Sequence, residues 1–171
     1  MFFLVERTES VALAPSAFGR HLRREVEDAL RAKVEGKCTG KYGFTIIVTN
    51  VESMKPGRLD EDSGYAHFEV HFLSLVFRPF KNEILLAKVH TITNNGFFAS
   101  AGPIDIFVSQ YGLPADLVFD ACGSNGTPML HSAEEDVRIE IGTEVRIKLQ
   151  GVRMSADNIT VLGTIKEDFL G

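Results

Sequence analysis

The chain has 171 residues, enough for one domain of ordinary size or two small ones. Hydrophobic residues make up 44% and charged residues 24%, a balance that excludes a chain disordered throughout. No run of 18 apolar residues occurs, so we expect no membrane-spanning segment and no membrane partner. The net charge is −5, and residues 81–171 carry 7 basic against 12 acidic side chains. A chain this acidic is expected to bind RNA only weakly by itself.

The N-terminal half of the chain predicts a sheet and one helix. Residues 1–13 alternate apolar and polar side chains, which is typical of a strand. Ser16 is the candidate N-cap of a helix that ends before Gly36. The apolar stripe of this helix consists of Phe18, Leu22, Val26, Leu30 and Val34. The β-prone run 44–51 and the alternating run 65–77 predict two further strands.

Three potential metal ligands, His67, Glu69 and His71, share the polar face of the last of these strands. Alternate positions on one strand point the same way, so a metal site, and with it a metal hydrolase, is one alternative. The pattern differs from the helical zinc-protease motif, whose two histidines lie one helical turn apart. We therefore favour exposed polar side chains here. The sequence predicts no catalytic residues, no metal and no cofactor, because no catalytic constellation occurs.

A break in the strand pattern at residues 78–82 predicts two domains, 1–80 and 81–171. The second half predicts five strands with a short helix at 114–118 after the third. That order is the order of an OB-fold barrel, so the expected class is α+β and mostly β. The strands are predicted at 82–92, 97–101, 104–109, 137–153 with a break at Gly142, and 158–166, with a loop at 120–132.

Alternation within these strands places two phenylalanines on their polar faces, beside cationic side chains. Bases stack on aromatic rings and phosphates meet cations when OB folds bind single-stranded nucleic acid. The predicted RNA-binding residues are Lys88, His90, Phe98, Phe107, Arg146, Lys148 and Arg153. The alternative is that Phe98 and Phe107 pack against the N-terminal domain, and the pattern alone favours neither.

Residues 34–43, Val-Glu-Gly-Lys-Cys-Thr-Gly-Lys-Tyr-Gly, resemble a stretch of the seventh subunit of eukaryotic RNA polymerase II, a family that is related to the corresponding stalk protein of archaeal RNA polymerase. Further matching motifs lie in order along the chain, at 15–19, 76–81, 96–99, 102–104, 107–109 and 165–169. Asn82 stands where this family commonly has glycine. The terminal Lys-Glu-Asp-Phe motif and the chain length favour the polymerase II member over its counterparts in other polymerases.

The resemblance implies a truncated RNP-like tip domain followed by an OB domain. It also implies a non-catalytic role in the nucleus, in a stalk heterodimer with the fourth polymerase subunit. The tip would dock on the core polymerase near the clamp and support transcription initiation, and the OB face would meet emerging single-stranded RNA. The core-docking residues carried over from the family are Pro15, Phe18, Gly19, Gly57, Arg58 and Leu59.

Two other functions remain open at this point. One is the counterpart stalk subunit of another RNA polymerase. The other is a free-standing OB-fold RNA-binding protein, which should be stable alone and bind RNA at moderate salt. The negative net charge disfavours this last possibility, because phosphate binding depends on cationic side chains.

Overall fold

The computed structural model describes residues 1–120, 128–132, 138–155 and 159–171. The described chain divides into two compact units. The first comprises Met1–Arg78, and the second comprises Pro79–Ser155 together with Ile159–Gly171. Within these described ranges, no helix is long and apolar enough to cross a membrane. Both units are built mainly from antiparallel strands.

The N-terminal unit is a five-stranded antiparallel sheet with one helix. Its elements are β1 (Phe2–Leu13), α1 (Leu22–Val34), β2 (Cys38–Thr39), β3 (Gly43–Met54), β4 (Arg58–Leu59) and β5 (Ala66–Phe77). The sheet has the order β1-β5-β3-β2, and β4 pairs with β5. The three predicted long strands are therefore present, and β3 extends beyond its predicted end into the polar segment that follows.

The core of this unit lies between α1 and one face of the sheet. Val26 and Leu30 of the helix are fully buried, as are Val70 and Phe72 of β5. Burial alternates along β5 because successive side chains of a strand point to opposite faces. Each such side chain contributes about 1.5–3 kcal/mol through its removal from water, which fixes the helix on this face.

The predicted helix start is wrong. Pro15–Ala17 forms a separate 3₁₀ turn, in which the Phe18 amide donates to the Pro15 carbonyl at 3.1 Å. The α-helix begins only at Leu22. Gly19 lies between the two segments, and glycine is a poor helix residue because it gives up the most backbone freedom. Ser16 is therefore no helix cap, and Phe18 leaves the buried stripe and is exposed.

The C-terminal unit contains a closed five-stranded barrel, as the OB-fold prediction requires. Its elements are β6 (Ile84–Thr93), β7 (Gly96–Ala101), β8 (Ile104–Ser109), β9 (Leu117–Asp120), β10 (Met129–Ser132), β11 (Arg138–Ile139), β12 (Glu144–Met154) and β13 (Ile159–Thr164). The barrel order is β12-β13-β8-β7-β6, with β8 and β13 parallel, and β9, β10 and β11 form a separate small sheet. The interior is filled by alternate residues, including Phe97, Ile106, Val108, Ile147, Leu149 and Val161.

The helix predicted at 114–118 is also wrong. A 3₁₀ turn occupies Gln110–Gly112 instead, and Leu117–Asp120 is a strand that pairs with Met129–Ser132. A short apolar run such as Leu-Val-Phe does not distinguish helix from strand by periodicity, so pairing decides the outcome. The predicted loop at 120–132 therefore contains a strand, and its residues 121–127 lie outside the described residues. The break at Gly142 is confirmed, with a φ of 100°.

Asn82 adopts a backbone conformation that glycine most often supplies. Its φ is 67°, in the left-handed region that glycine adopts freely. Asparagine tolerates this region better than most residues, because its short polar side chain bonds locally. The Asn82 amide donates to the Leu149 carbonyl at 2.7 Å. The turn before β6 is thus kept without glycine.

Replacement of Gly96 by alanine should destabilise the barrel severely. The Gly96 φ is 141°, and an added Cβ would lie 2.0 Å from the Val108 carbonyl oxygen. Neither strain can relax without moving backbone, so we expect Gly96→Ala to lose at least about 2–3 kcal/mol in urea unfolding of the full chain. Gly19→Ala is the control, because its Cβ would meet nothing within 4 Å. Equal unfolding midpoints for the two variants would contradict this packing.

Candidate nucleic-acid interface and docking surfaces

A row of side chains crosses four strands on the outside of the barrel. Phe98 of β7 and Phe107 of β8 are cross-strand partners, with ring centroids 4.7 Å apart. The His90 ring of β6 stacks on Phe98 at 6.2 Å, and Leu162 of β13 lies beside Phe107 in register. Phe98 is 37% exposed and Leu162 is 49% exposed. We call His90, Phe98, Phe107 and Leu162 the ring row, an exposed apolar surface of the kind on which bases stack.

The two phenylalanines of the ring row are not part of the barrel core. Their sequence neighbours Phe97, Ile106 and Val108 point inward and are fully buried. Because strand side chains alternate, Phe98 and Phe107 point outward. The sequence-based placement of both rings on the polar face of the strands therefore agrees with the barrel geometry.

A second, charged row runs beside the ring row. Lys88 of β6 is the cross-strand partner of Ser100, and Ser100 is the partner of Asp105 on β8. The Asp105 side chain is 70% exposed, and its Oδ1 lies 3.5 Å from the His90 Nε2. Alternation places Asp105 on the same face as Phe107, but a single carboxylate on the polar face of a strand looks like an ordinary solvated residue.

The remaining predicted cations, Arg146, Lys148 and Arg153, all lie on β12. Arg146 and Lys148 of β12 are partnered by Leu86 and Ile84, which precede Lys88 on β6. Two residues along a strand span roughly 7 Å. Along the strand direction, Arg146 is therefore displaced from Lys88 by one such span and Lys148 by two. Arg146 is nevertheless on the same outward side of the barrel wall, since β12 pairs directly with β6.

Two of these cations have specific surroundings. The Lys148 Nζ contacts both carboxylate oxygens of Glu167, at 2.8 and 2.6 Å. Arg153 is partnered by Thr160 of β13, near the other end of β12. Of the predicted RNA-binding set, the structure thus brings Lys88, His90, Phe98 and Phe107 together. Arg153 adjoins the same surface, because its partner Thr160 lies two residues before Leu162 on β13. Arg146 and Lys148 lie farther from the rings.

The N-terminal sheet has a second apolar face, opposite the helix. Cross-strand partners on β1, β5 and β3 form rows across the sheet. On the face that α1 does not cover, these rows place apolar side chains next to one another. We call this set the outer apolar face: Phe2, Leu4, Phe44, Ile47, Leu73 and Leu75. Leu4 is 61% exposed and Ile47 is 48% exposed. Contiguous apolar surface of this kind usually marks a partner site.

The two segments predicted to dock on a polymerase core lie close together in the N-terminal unit. A Cβ on Gly64 would lie 3.4 Å from the Pro15 Cγ, so the turn between β4 and β5 contacts the first segment. Gly57 has no room for a side chain, because its Cβ would lie 2.6 Å from the Phe68 ring. Phe18 is 41% exposed and Leu59 is 63% exposed. The two segments therefore form one exposed end of the unit.

The turn that carries this end is held by Asp60. The Ser63 hydroxyl donates to the Asp60 carboxylate, and so does the Asp62 amide at 3.4 Å. These bonds, the one from Ser63 above all, lower the pKa of Asp60 below its ordinary value. The turn is therefore expected to stay anchored at neutral pH and to loosen only as acid protonates Asp60.

The geometry gives no support to a metal site on β5. The Glu69 carboxylate binds the Lys55 Nζ at 2.7 Å, and this bond lowers the pKa of Glu69. The His71 Nδ1 is hydrogen-bonded to the Thr8 hydroxyl at 2.8 Å. Across the described ranges, no three potential metal-ligating side chains cluster together. His67 instead faces Arg58 across the β4–β5 pair.

Comparison with known proteins gives a consistent result for both units. Residues 8–64 match the family described as "SHS2 domain found in N terminus of Rpb7p/Rpc25p/MJ0397", and residues 78–162 match the S1 RNA binding domain. The chain is 41% identical to DNA-directed RNA polymerase II subunit RPB7 of Glycine max, over 100% of this chain and 96% of that one. The chain belongs to the RPB7 family of RNA polymerase II subunits. The Dictyostelium discoideum member is 40% identical, over 100% of this chain and 98% of its own length.

RPB7 family membership confirms the resemblance seen in the sequence motifs. A polymerase III counterpart, subunit RPC8 of Bos taurus, is only 28% identical, over 87% of this chain and 74% of that one. The polymerase II members are therefore the nearer relatives. The SHS2 and S1 matches also agree with a helix-and-sheet unit followed by an OB barrel.

Proposed function

We propose that this RPB7-family chain is a non-catalytic subunit of RNA polymerase II that forms the stalk heterodimer with the fourth subunit in the nucleus. The observation that carries the proposal is similarity along the whole chain to subunits named RPB7. We assign residues 1–80 to the tip domain and 81–171 to the OB domain. A counterpart role in another polymerase is the second candidate, and the lower identity to RPC8 weighs against it.

The outer apolar face is the proposed site of the fourth subunit. Phe2 and Leu4 are 59% and 61% exposed in the chain by itself, which leaves large apolar side chains in water. Permanent complexes typically bury more than about 2,000 Å² of surface, and the apolar core of such an interface supplies most of the affinity. Apolar side chains from three neighbouring strands make this sheet face suitable for a permanent complex.

Co-expression with the fourth polymerase subunit tests this proposal directly. We expect the two chains to elute together at the mass of a 1:1 complex in size-exclusion chromatography. We also expect the chain without its partner to self-associate at high concentration, because the outer apolar face is then exposed to water. Separate elution of two folded chains would remove the basis for a stalk heterodimer.

The exposed end made by residues 15–19 and 57–59 is the proposed contact with the polymerase core. Arg58 is exposed, and it lies on a short strand held by pairing with β5, so its charge is presented on a fixed backbone. We expect Arg58→Glu to lower recovery of the core polymerase in pull-downs about tenfold while the small heterodimer stays intact. Lys81→Glu, an exposed charge reversal outside the docking segments, is the control. Loss of the heterodimer in Arg58→Glu would show that this end belongs to the partner interface instead.

RNA contact is proposed for the ring row and Lys88. The stacking surface is present, but carboxylates lie beside the cations near it: Glu144 is the cross-strand partner of Lys88, and Glu167 contacts Lys148. Together with the acidic net charge this favours weak, salt-sensitive binding that depends on stacking. The proposed role is to guide RNA that the polymerase delivers, because weak binding is not expected to capture RNA from solution.

A further inference from the structure

We propose that Asp105 makes the barrel face select guanine among RNA bases. The inference rests on the proposed RNA contact and adds a preference to it. Stacking on phenylalanine does not distinguish bases strongly, because every base has an aromatic face. Any preference must therefore come from a hydrogen-bonding group at the edge of the ring row.

Asp105 is placed to read the edge of a base that stacks on the ring row. It precedes Phe107 by two residues on β8, so both side chains leave the same face, roughly 7 Å apart along the strand. The His90 Nε2 lies 3.5 Å from the Asp105 Oδ1, so the carboxylate stands at the edge of the ring row. The side chain remains 70% exposed, which leaves acceptor positions on its oxygens open to a ligand.

The chemistry of a carboxylate favours one base. An ionised carboxylate only accepts hydrogen bonds, and it accepts two parallel donors best. Guanine presents two adjacent donors, N1–H and the N2 amino group, on its Watson–Crick edge. Uracil presents one donor between two acceptors, and adenine and cytosine each present an amino group next to an acceptor nitrogen. Guanine alone therefore pairs with the Asp105 carboxylate through two bonds without an opposing acceptor.

The charge of Asp105 also sets how a strand lies on the face. A phosphate beside the carboxylate would be repelled, whereas Lys88 would attract one, less strongly than an isolated lysine because Glu144 is its cross-strand partner. The two side chains are separated by Ser100, at opposite ends of the charged row and about 10 Å apart at the strand spacing. A base edge at Asp105 and a phosphate at Lys88 satisfy both charges at once.

Fluorescence anisotropy with the full chain tests the preference at low salt. The probes are labelled oligouridine RNAs, identical except for one central guanine, adenine, cytosine, uracil or inosine. We expect the guanine probe to bind about five- to tenfold more tightly than the uracil probe, the size of a solvent-exposed two-bond contact. Inosine lacks the N2 amino group, so it should lose most of this gain.

Two variants at the same position identify the residue responsible. We expect Asp105→Asn and Asp105→Ser to remove the guanine preference while binding the other probes at least as well as the unmodified chain, because a repulsive charge is lost. Asp116→Asn is the control, since Asp116 is exposed and lies outside the barrel strands. Unchanged melting temperatures for all variants confirm that the fold is intact.

Four results would overturn the inference, and they separate it from the proposed function. Binding without any base preference, or a preference that survives in both Asp105 variants, removes the role of Asp105 and leaves RNA contact in place. A uniform gain in affinity for every probe on replacing Asp105, with no preference beforehand, reduces Asp105 to a repulsive charge. No binding of any probe removes the proposed RNA contact itself, and the guanine preference with it.

Discussion

Two aspartates on the outer apolar face should separate this chain from the fourth polymerase subunit. In the double variant Leu4→Asp/Ile47→Asp we expect the affinity of the heterodimer to fall by at least about 100-fold. Burial of an unpaired carboxylate in an apolar interface makes the binding free energy less favourable by several kcal/mol. The described cross-strand partner of both positions is Leu75, so no cation beside them offsets the new charge. Both side chains are about half exposed or more in the free chain, so its fold should survive.

The measurement is co-purification of the two tagged chains, followed by titration of the separately purified proteins. Leu59→Asp is the matched control, because Leu59 is 63% exposed and Leu4 is 61% exposed. Leu59 belongs to the docking end of the same unit, so its variant should keep the heterodimer. Full retention of the partner by the double variant would show that another surface holds the fourth subunit.

Loss of the two rings should have the second largest effect. We expect Phe98→Ala and Phe107→Ala each to weaken binding of a single-stranded RNA by about 1–3 kcal/mol, the usual contribution of a base stacked on an aromatic side chain. The double variant is expected to lose less than the sum, because the ring centroids are 4.7 Å apart and one base contacts both.

Anisotropy at low salt measures this loss, and thermal unfolding of the same samples checks the fold. Phe169→Ala is the control, because Phe169 is 90% exposed and lies outside the ring row. Since the barrel interior is filled by other side chains, the melting temperature should change little. A collapse of the melting transition in Phe98→Ala would mean that the ring holds the barrel together.

The strands were the most predictable part of the fold, because their side chains alternate with a period of two. This alternation alone places Phe98 and Phe107 outside the barrel, and the residues that fill the barrel interior agree with it. The helix predicted at 114–118 failed because a three-residue apolar run carries no period. Ser16 has the right chemistry for a helix cap, but the α-helix does not start there. Gly19 separates the 3₁₀ turn at Pro15–Ala17 from the α-helix that begins at Leu22.

The composition of the candidate site was less predictable than the fold. Strand register decides which cations lie beside the two rings. Arg146 is the cross-strand partner of Leu86, so it does not lie next to Phe98. Alternation placed Asp105 on the face of Phe107, but nothing in the sequence marked it as a binding residue. The outer apolar face did carry one, since the end of β5 reads Leu-Ser-Leu-Val-Phe with apolar residues on both faces. A strand apolar on both sides of a sheet predicts cover on both sides, and the unit supplies α1 on only one.

Membership in RNA polymerase II is tested by affinity purification of the tagged chain from nuclear extract of its own cells, with mass spectrometry of the proteins that accompany it. We expect near-stoichiometric recovery of one small partner, together with the largest subunit of RNA polymerase II. Recovery of the chain alone, of ribosomes, or of the largest subunit of RNA polymerase III in place of that of polymerase II would contradict it.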